Sequence, residues 1–378
     1  MLANIFKLKM ITNLKGYCPL IFNGIYVERG IGGIQIAPCS LSAKSSILSE
    51  KINFESNTHL TEIRDITKLN QFAPQCQTCW VVENNGGESK RQTEIDAFKL
   101  LSTADTKLMH IDYNTLPICN AKCIICSSKY SSLWIQDDIK LGHQKNTVIP
   151  KLDIKSNQLK GLDLSHLRSI YFNGGEPLLT NDHINLLSNL ENLEDISISY
   201  NTNGSCYPTD DVIKMWNRSK EVTLFFSIDG INDKFEYIRN PLIWEQVSNN
   251  IKLIHQLLPN VVIGISYTLG IHNVFGLQET INWFTNNLDN FNVKTQFHVH
   301  TVNGNLDLCY ASPQLKHAFN IELKKFDSDN FYWLESIQSY ISSDSDTNND
   351  WQTYLSNLDN IRNNNWKDTF KDLCIASK

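Results

Sequence analysis

The chain has 378 residues, 41% of them hydrophobic and 20% charged. At a typical domain length of about 150 residues this predicts two or three domains with sizeable cores and excludes a mainly disordered chain. Lys and Arg number 34 against 40 Asp and Glu, a formal net charge of -6, which disfavours a surface given over to nucleic acid but not a local basic cleft.

No apolar run approaches the ~18 residues of a membrane helix, and the opening MLANIFKLKMITNLKG makes a poor signal peptide. The expected location is the cytoplasm. Ten cysteines are few for a disulfide scaffold of this length and many for an ordinary intracellular domain, so their spacing must decide what they do.

In chain order, GIYVERG and GGIQIAP predict a short hairpin around Gly30, Gly32 and Gly33. Cys18 precedes it and Cys39 ends it. A polar Ser/Asn/Thr-rich stretch, a short helix around 61–71 and the QCQTCW segment with Cys76 and Cys79 follow. Residues 84–107 are polar and join the next domain through a helix. From about 108 apolar strands alternate with helical segments: 108–114, 168–174, 192–205, 221–230, 261–270 and 293–304 read as strands, with helices at 182–193, DDVIKMWNRSK, EQVSNNIKLIHQLLP and GLQETINWFTNNL between them. Six strands alternating with helices imply parallel pairing through right-handed crossovers. The fold class is α/β, a partial (β/α)6 TIM-like barrel.

Active residues of parallel barrels gather at the C-terminal strand ends. The Cys119–Cys126 loop, Glu176, Ser199–Asn203, Asp229 and Asn273 all fall at or just past such ends. After about 308 the pattern is helical and aromatic, suited to capping the barrel's open side. Trp333, Trp351 and Trp366 read as core more than as substrate contacts, and the acidic SSDSDTNND (342–350) as a turn or loop. The expected domains are 1–100, a small hairpin-containing metal domain; 101–307, the barrel; and 308–378, a helical extension.

The densest signal is C119-NAK-C123-II-C126. Three thiolates within eight residues can wrap one metal centre, but their number is wrong for a complete four-cysteine zinc site. A cubane [4Fe-4S] cluster on three cysteines leaves one iron open, able to bind a small molecule through an amine and a carboxylate. The four cysteines 18, 39, 76 and 79 can enclose a second metal fully; structural zinc and a [4Fe-4S] cluster are both satisfied by four thiolates.

CNAKCIIC is the C-x3-C-x2-C pattern and resembles the radical S-adenosylmethionine (SAM) superfamily, especially its peptide- and protein-modifying branch with auxiliary-cluster domains. NGGEP at 173–177 is similar to the family's glycine-rich stretch, and FFSIDG at 225–230, followed by Arg239, to its fourth-strand Ser-x-Asp-Gly pattern. One departure is Ile125, where an aromatic residue often precedes the third cysteine and packs near adenine. The four N-terminal cysteines resemble a twitch or SPASM-like auxiliary domain, placed here before the barrel.

The resemblance implies a SAM-binding [4Fe-4S] cluster on Cys119, Cys123 and Cys126, a second [4Fe-4S] cluster on Cys18, Cys39, Cys76 and Cys79, and reductive cleavage of SAM to a 5'-deoxyadenosyl radical that abstracts a substrate hydrogen. It implies that Gly174 and Gly175 free the backbone to approach the SAM amino group. Glu176 is an acceptor for that ammonium or a brace for the glycine turn. Ser199, Asn201 and Asn203 face the ribose hydroxyls and carboxylate, Ser227 and Asp229 meet cofactor or substrate, and Arg239 forks the SAM carboxylate. Cys309, and less so Cys206, is a candidate thiol hydrogen donor for a redox-neutral outcome; Cys374 is a weaker one.

Expected partners are an external electron donor such as flavodoxin or ferredoxin and a peptide, protein or small-molecule substrate, with nucleic acid disfavoured and no membrane. The leading expectation is an enzyme that oxidises or crosslinks a peptide or protein side chain. The alternatives are a radical dehydrogenase or epimerase of a sugar or alcohol, and a non-catalytic metal-binding interaction protein.

Overall fold

The computed structural model describes residues 15–30, 33–47, 52–84, 87–98, 106–143, 159, 161–327, 331, 333–342 and 350–377. The hairpin tip around Gly32 and most of the acidic 342–350 stretch lie outside these residues. Strands β1 (Gly24–Gly30), β2 (Gly33–Ala37), β3 (Ser45–Ile47), β4 (His110–Asn114), β5 (Ser169–Asn173), β6 (Ser197–Thr202), β7 (Glu221–Ser227), β8 (Val261–Leu269) and β9 (Phe297–Thr301) form one sheet. Its order is β3-β2-β1-β4-β5-β6-β7-β8-β9. Every neighbouring pair from β4 to β9 is parallel. The sheet is a partial barrel whose described edges, β3 and β9, do not hydrogen-bond to each other.

The six expected barrel strands are β4 to β9. The hairpin exists too, but it is part of the same sheet: β1 runs parallel to β4, with Tyr26 beside Asp112 and Glu28 beside Asn114. Without it β4 would be an open edge with unpaired backbone groups. Ile25, Tyr26, Val27 and Glu28 are all buried, as an interior strand covered on both faces requires. β3 adds a third N-terminal strand that the sequence reading did not anticipate.

Alternation fixes the barrel's two faces. On β7, Val222, Leu224 and Phe226 are buried, while Thr223, Phe225 and Ser227 stand on the other face. The apolar face continues through Ile170, Phe172, Ile198, Tyr200, Ile263, Ile265 and Tyr267. Crossover helices cover it. In Asp210–Arg218, Thr209 caps the start by accepting from the Val212 N–H, acids fill the first turn, Arg218 ends it, and Val212 and Trp216 are buried. Trp244–Leu257 buries Val247, Ile251 and Ile254, one face of a helix at 3.6 residues per turn.

The C-terminal helices Pro313–Leu323, Leu334–Ser342 and Trp351–Arg362 join the core. Trp333, Trp351 and Trp366 are buried. Among the described residues no helix is long and apolar enough to cross a membrane.

Candidate active site

The cysteine loop leaves the C-terminal end of β4 and is tied down along its length. Thr115 donates its N–H to the Asn173 carbonyl at 2.7 Å, and Glu176 donates its N–H to the Ile118 carbonyl at 2.8 Å. Lys122 N–H reaches the Asn240 carbonyl at 2.7 Å and Ile124 N–H the Ile238 carbonyl at 2.9 Å. Trp134 Nε1 donates to the Cys123 carbonyl at 2.8 Å, and the Tyr354 hydroxyl donates to the Ile124 carbonyl at 2.6 Å. The last contact comes from the C-terminal extension.

Gly174 and Gly175 explain part of this anchoring. Gly174 has φ +115, and a Cβ on Gly175 would lie 2.4 Å from the Ile118 carbonyl oxygen and 2.5 Å from that of Leu116. The glycines are required because the stem of the cysteine loop packs directly on them. The freedom expected for approach to a SAM amino group is here used for approach to the loop.

Burial pushes the Cys119 thiol up to about 11 and the Cys126 thiol up to about 12, and raises Cys123 as well. Cys119, Cys123 and Cys126 feel one another's charge, so the three sulfurs share one region. Buried thiols become thiolates when a cation compensates them, and a metal centre is such a cation. Among the described residues no group of three or more His, Cys, Asp or Glu side chains is gathered tightly enough for a single metal ion. Three thiols on one loop can each hold one iron of a cubane cluster.

The other expected residues surround the loop. Glu176 is fully engaged inside the protein: one oxygen accepts from Thr202 Oγ1 at 2.8 Å and the Leu178 N–H at 3.2 Å, the other from the Asn203 N–H at 2.7 Å. These bonds brace the turn. Asn203 Nδ2 donates to Asn120 Oδ1 at 2.9 Å and lies 3.8 Å from Cys119 Sγ. Ser199 and Asn201 share the inward face of β6.

Asp229 accepts the Thr268 N–H at 2.7 Å and pairs with Arg239 Nη2 at 2.5 Å. Arg239 Nη1 donates to Cys123 Sγ at 3.6 Å, a contact the sequence did not suggest. Its Nε is buried and has no protein partner among the described residues. Asn273 is a cross-tie: Nδ2 donates to the Asp229 and Thr268 carbonyls, and Oδ1 accepts the Gly270 N–H. Ser227 ends β7 beside Ser266. Cys206 stands beside Ser205, whose hydroxyl accepts from Asn120 of the cysteine loop. Cys309 sits farther into the extension, on the short turn Leu308–Tyr310, where Tyr340 feels its charge.

Cys18, Cys39, Cys76 and Cys79 line one narrow cavity together with Leu20, Ile21, Pro38 and Trp80. Burial raises the Cys18 and Cys39 thiols and pushes Cys76 up to about 12. Four thiols facing one apolar space fit a fully ligated metal centre.

Sequence reading missed a polar row inside the sheet. Tyr26 donates to Glu28 at 2.9 Å and accepts from Asn114 at 2.8 Å. Glu28 pairs with Lys44 at 2.6 Å and with Lys129, just past the cysteines, at 3.1 Å. Asn173 donates to Asp112, whose other oxygen lies 3.8 Å from Lys90. The available signal was a charge within each apolar strand, Glu28 in GIYVERG and Asp112 in MHIDYN.

Residues 113–284 match the Radical SAM superfamily. That segment runs from within β4 to within the helix Leu277–Asn287 and is similar to the superfamily. Solved structures resemble the chain at low identity. Histidine-tagged anSMEcpe with bound AdoMet (SAM) shares 18% identity over 60% of this chain, with a TM-score of 0.39. The matched region takes in 60% of that structure's length. Native anSMEcpe with AdoMet and the Cp18Cys peptide shares 17% over 62% of each chain, with a TM-score of 0.38. Streptococcus suis SuiB bound to its precursor peptide SuiA shares 14% over 81% of this chain and 70% of that one, with a TM-score of 0.38. None of the curated proteins matches the chain.

Proposed function

We propose that the chain is a radical SAM oxidoreductase or modifying enzyme that abstracts a hydrogen from its substrate, oxidising or crosslinking a peptide or protein side chain. The observation that carries this reading is the gathering of three thiols of one anchored loop beside Glu176, Asn203, Asp229 and Arg239, inside a segment matching the superfamily. A [4Fe-4S] cluster on Cys119, Cys123 and Cys126, with SAM, supplies one-electron cleavage of the sulfonium and a 5'-deoxyadenosyl radical.

The chain's own residues bind, orient and exclude water. The unpartnered Arg239 Nε, buried beside the loop, is the donor left for the SAM carboxylate. Ser199 and Asn201 offer a hydroxyl and an amide on the inward face for the ribose. Ile125, Val302 and Leu306 line an open pocket beside Cys126 together with Asn303, Asn305 and Tyr354; this mixed apolar and amide lining suits a flat heterocycle with polar edges, with Ile125 standing where an aromatic is usual. Glu176 keeps the Thr202–Asn203 corner in place. Ser227, at the end of β7, offers a hydroxyl to cofactor or substrate.

The four-cysteine cavity is the proposed site of a second [4Fe-4S] cluster, in an auxiliary region spanning 1–100 whose hairpin extends the sheet of the barrel at 101–307, with a helical extension at 308–378. Held by Cys18, Cys39, Cys76 and Cys79, a fully ligated cluster would supply one-electron redox capacity, which fits a net oxidation. A flavodoxin or ferredoxin supplies the first electron.

Anaerobic reconstitution tests the reading. The whole chain should bind about eight irons, four per cubane, and produce 5'-deoxyadenosine from SAM after reduction. Alanine at Cys119, Cys123 or Cys126 should abolish that product. Zinc in place of iron, or iron without SAM cleavage under any reductant, overturns it.

A further inference from the structure

We propose that Arg239 sets the reduction potential of the loop's cluster through Cys123, an inference that rests on the radical SAM reading above. The three thiols sit in different fields. Cys119 Sγ accepts from the Ala121 N–H at 3.4 Å and has the neutral Asn203 amide at 3.8 Å. Cys126 directs its thiol at the Ser127 carbonyl. Among the described residues, Cys123 alone takes a cationic donor, Arg239 Nη1 at 3.6 Å.

That guanidinium is held in place. Arg239 is 8% exposed and Asp229 0%. Arg239 Nη2 lies 2.5 Å from Asp229 Oδ2, and Asp229 Oδ1 accepts the Thr268 N–H at 2.7 Å. Asn273 fixes the Asp229 backbone from the other side through its carbonyl, at 3.1 Å. Cys123 is equally fixed, its carbonyl held by Trp134 Nε1 and the next residue's N–H held by Ile238. Donor and acceptor thus meet without rearrangement, in a region shielded from water.

The direction follows from charge. Reduction adds negative charge to a cluster and to its thiolate ligands. A cation donating to one of those sulfurs stabilises the reduced state more than the oxidised one, so it raises the potential. Low local dielectric strengthens the effect. Arg239 is then a positioning and tuning residue, making the cluster easier to reduce.

The test uses the whole reconstituted chain, titrated potentiometrically under EPR without SAM, following the signal that SAM addition alters in the wild type. R239Q should make the cluster harder to reduce by at least tenfold in the reduction equilibrium, about 59 mV for one electron. R239Q/D229N, which leaves no stranded carboxylate, should shift the same way, and R239K should fall between. A cluster at the wild-type potential in R239Q/D229N overturns the inference, as does iron lost from R239K, which would make Arg239 an assembly residue. A wild-type chain with no such signal overturns the radical SAM reading itself, and this inference with it.

Discussion

Replacing Arg362 by Met tests whether the C-terminal extension holds the cysteine loop. Arg362 Nε lies 2.8 Å from Asp137 Oδ2, and both side chains are 1% exposed. Its guanidinium also stacks over Trp134 at 4.8 Å, and Trp134 holds the Cys123 carbonyl. Removing one partner of a buried pair costs about 3–5 kcal/mol, because the other charge is stranded. Here Lys122 remains on Asp137 Oδ1 at 3.0 Å, and Met keeps much of the apolar stem on Trp134. R362M should therefore cost about 2–3 kcal/mol, below the full penalty. D137N should cost more, near 4 kcal/mol, since Arg362 Nη1 and Nη2 already lack partners. The double variant strands neither charge, so its cost should fall short of the sum by at least about 1.5 kcal/mol. Urea unfolding followed by tryptophan fluorescence gives the three costs. Hydrogen exchange at Cys119–Cys126 in R362M should quicken. Single costs that add within about 0.5 kcal/mol, with exchange unchanged, refute the coupling between extension and loop.

His272 is 2% exposed, with neither ring nitrogen hydrogen-bonded among the described residues. Burial, aided by Arg239, lowers its pKa from 6.5 to about 3. The folded chain thus binds fewer protons than the unfolded one across that window, and stability is lost as pH falls from 6.5 towards 3. H272L should be neutral or stabilising at pH 7 and should flatten that loss; thermal melts at stepped pH check both. G175A drives a methyl into the Leu116 and Ile118 carbonyls and should cost about 1–3 kcal/mol, read by thermal unfolding; an unchanged melt means the loop stem does not rest on Gly175. C76S should halve the bound iron, from about eight to about four, while SAM cleavage in the presence of reductant persists; loss of all the iron together with cleavage would join the two sites into one.

The barrel was legible because its signals are local. Period-two burial in EVTLFFS and the cap at Thr209 each declare an element within a dozen residues. The cysteine loop was legible for the same reason. The pairing of β1 with β4 was not, because 80 residues of chain separate Gly30 from His110 and no local pattern names a strand's neighbour. The all-round burial of Ile25–Glu28 was the one trace. Arg239 shows the same limit. Its position after the Ser-x-Asp-Gly pattern marked it as a site residue, but the contact with Cys123 joins residues 116 apart. The glycines of NGGEP were read as approach points for the SAM amino group; the packing adds that the loop stem lies against them.

The β1–β4 pairing changes what the N-terminal region does for the site. A separate domain would touch the cysteine loop only across an interface. Here Glu28, on the added strand, reaches Lys129 of the loop at 3.1 Å and Lys44 at 2.6 Å. Burial alone would raise the Glu28 carboxyl, but donors on Lys44, Tyr26 and Lys129 hold it below the usual range. It stays ionised at neutral pH and acts as a fixed negative post between strand and loop. Tyr26 accepts from Asn114 and feels the charge of Asp112, which stands two residues before Asn114 on β4 and 3.8 Å from Lys90, whose ammonium feels the charge of Cys39 and Cys18 in the four-cysteine cavity. One run of buried polar groups therefore extends from the cavity of the N-terminal cysteines, across two neighbouring strands, to the residue three past Cys126. Because every step of it rests on strand register, a shift of β1 by one residue would turn Tyr26 and Glu28 to the opposite face and break the run at once. The hairpin is thus both the edge cover of the barrel and the element that sets the two groups of cysteines in one frame.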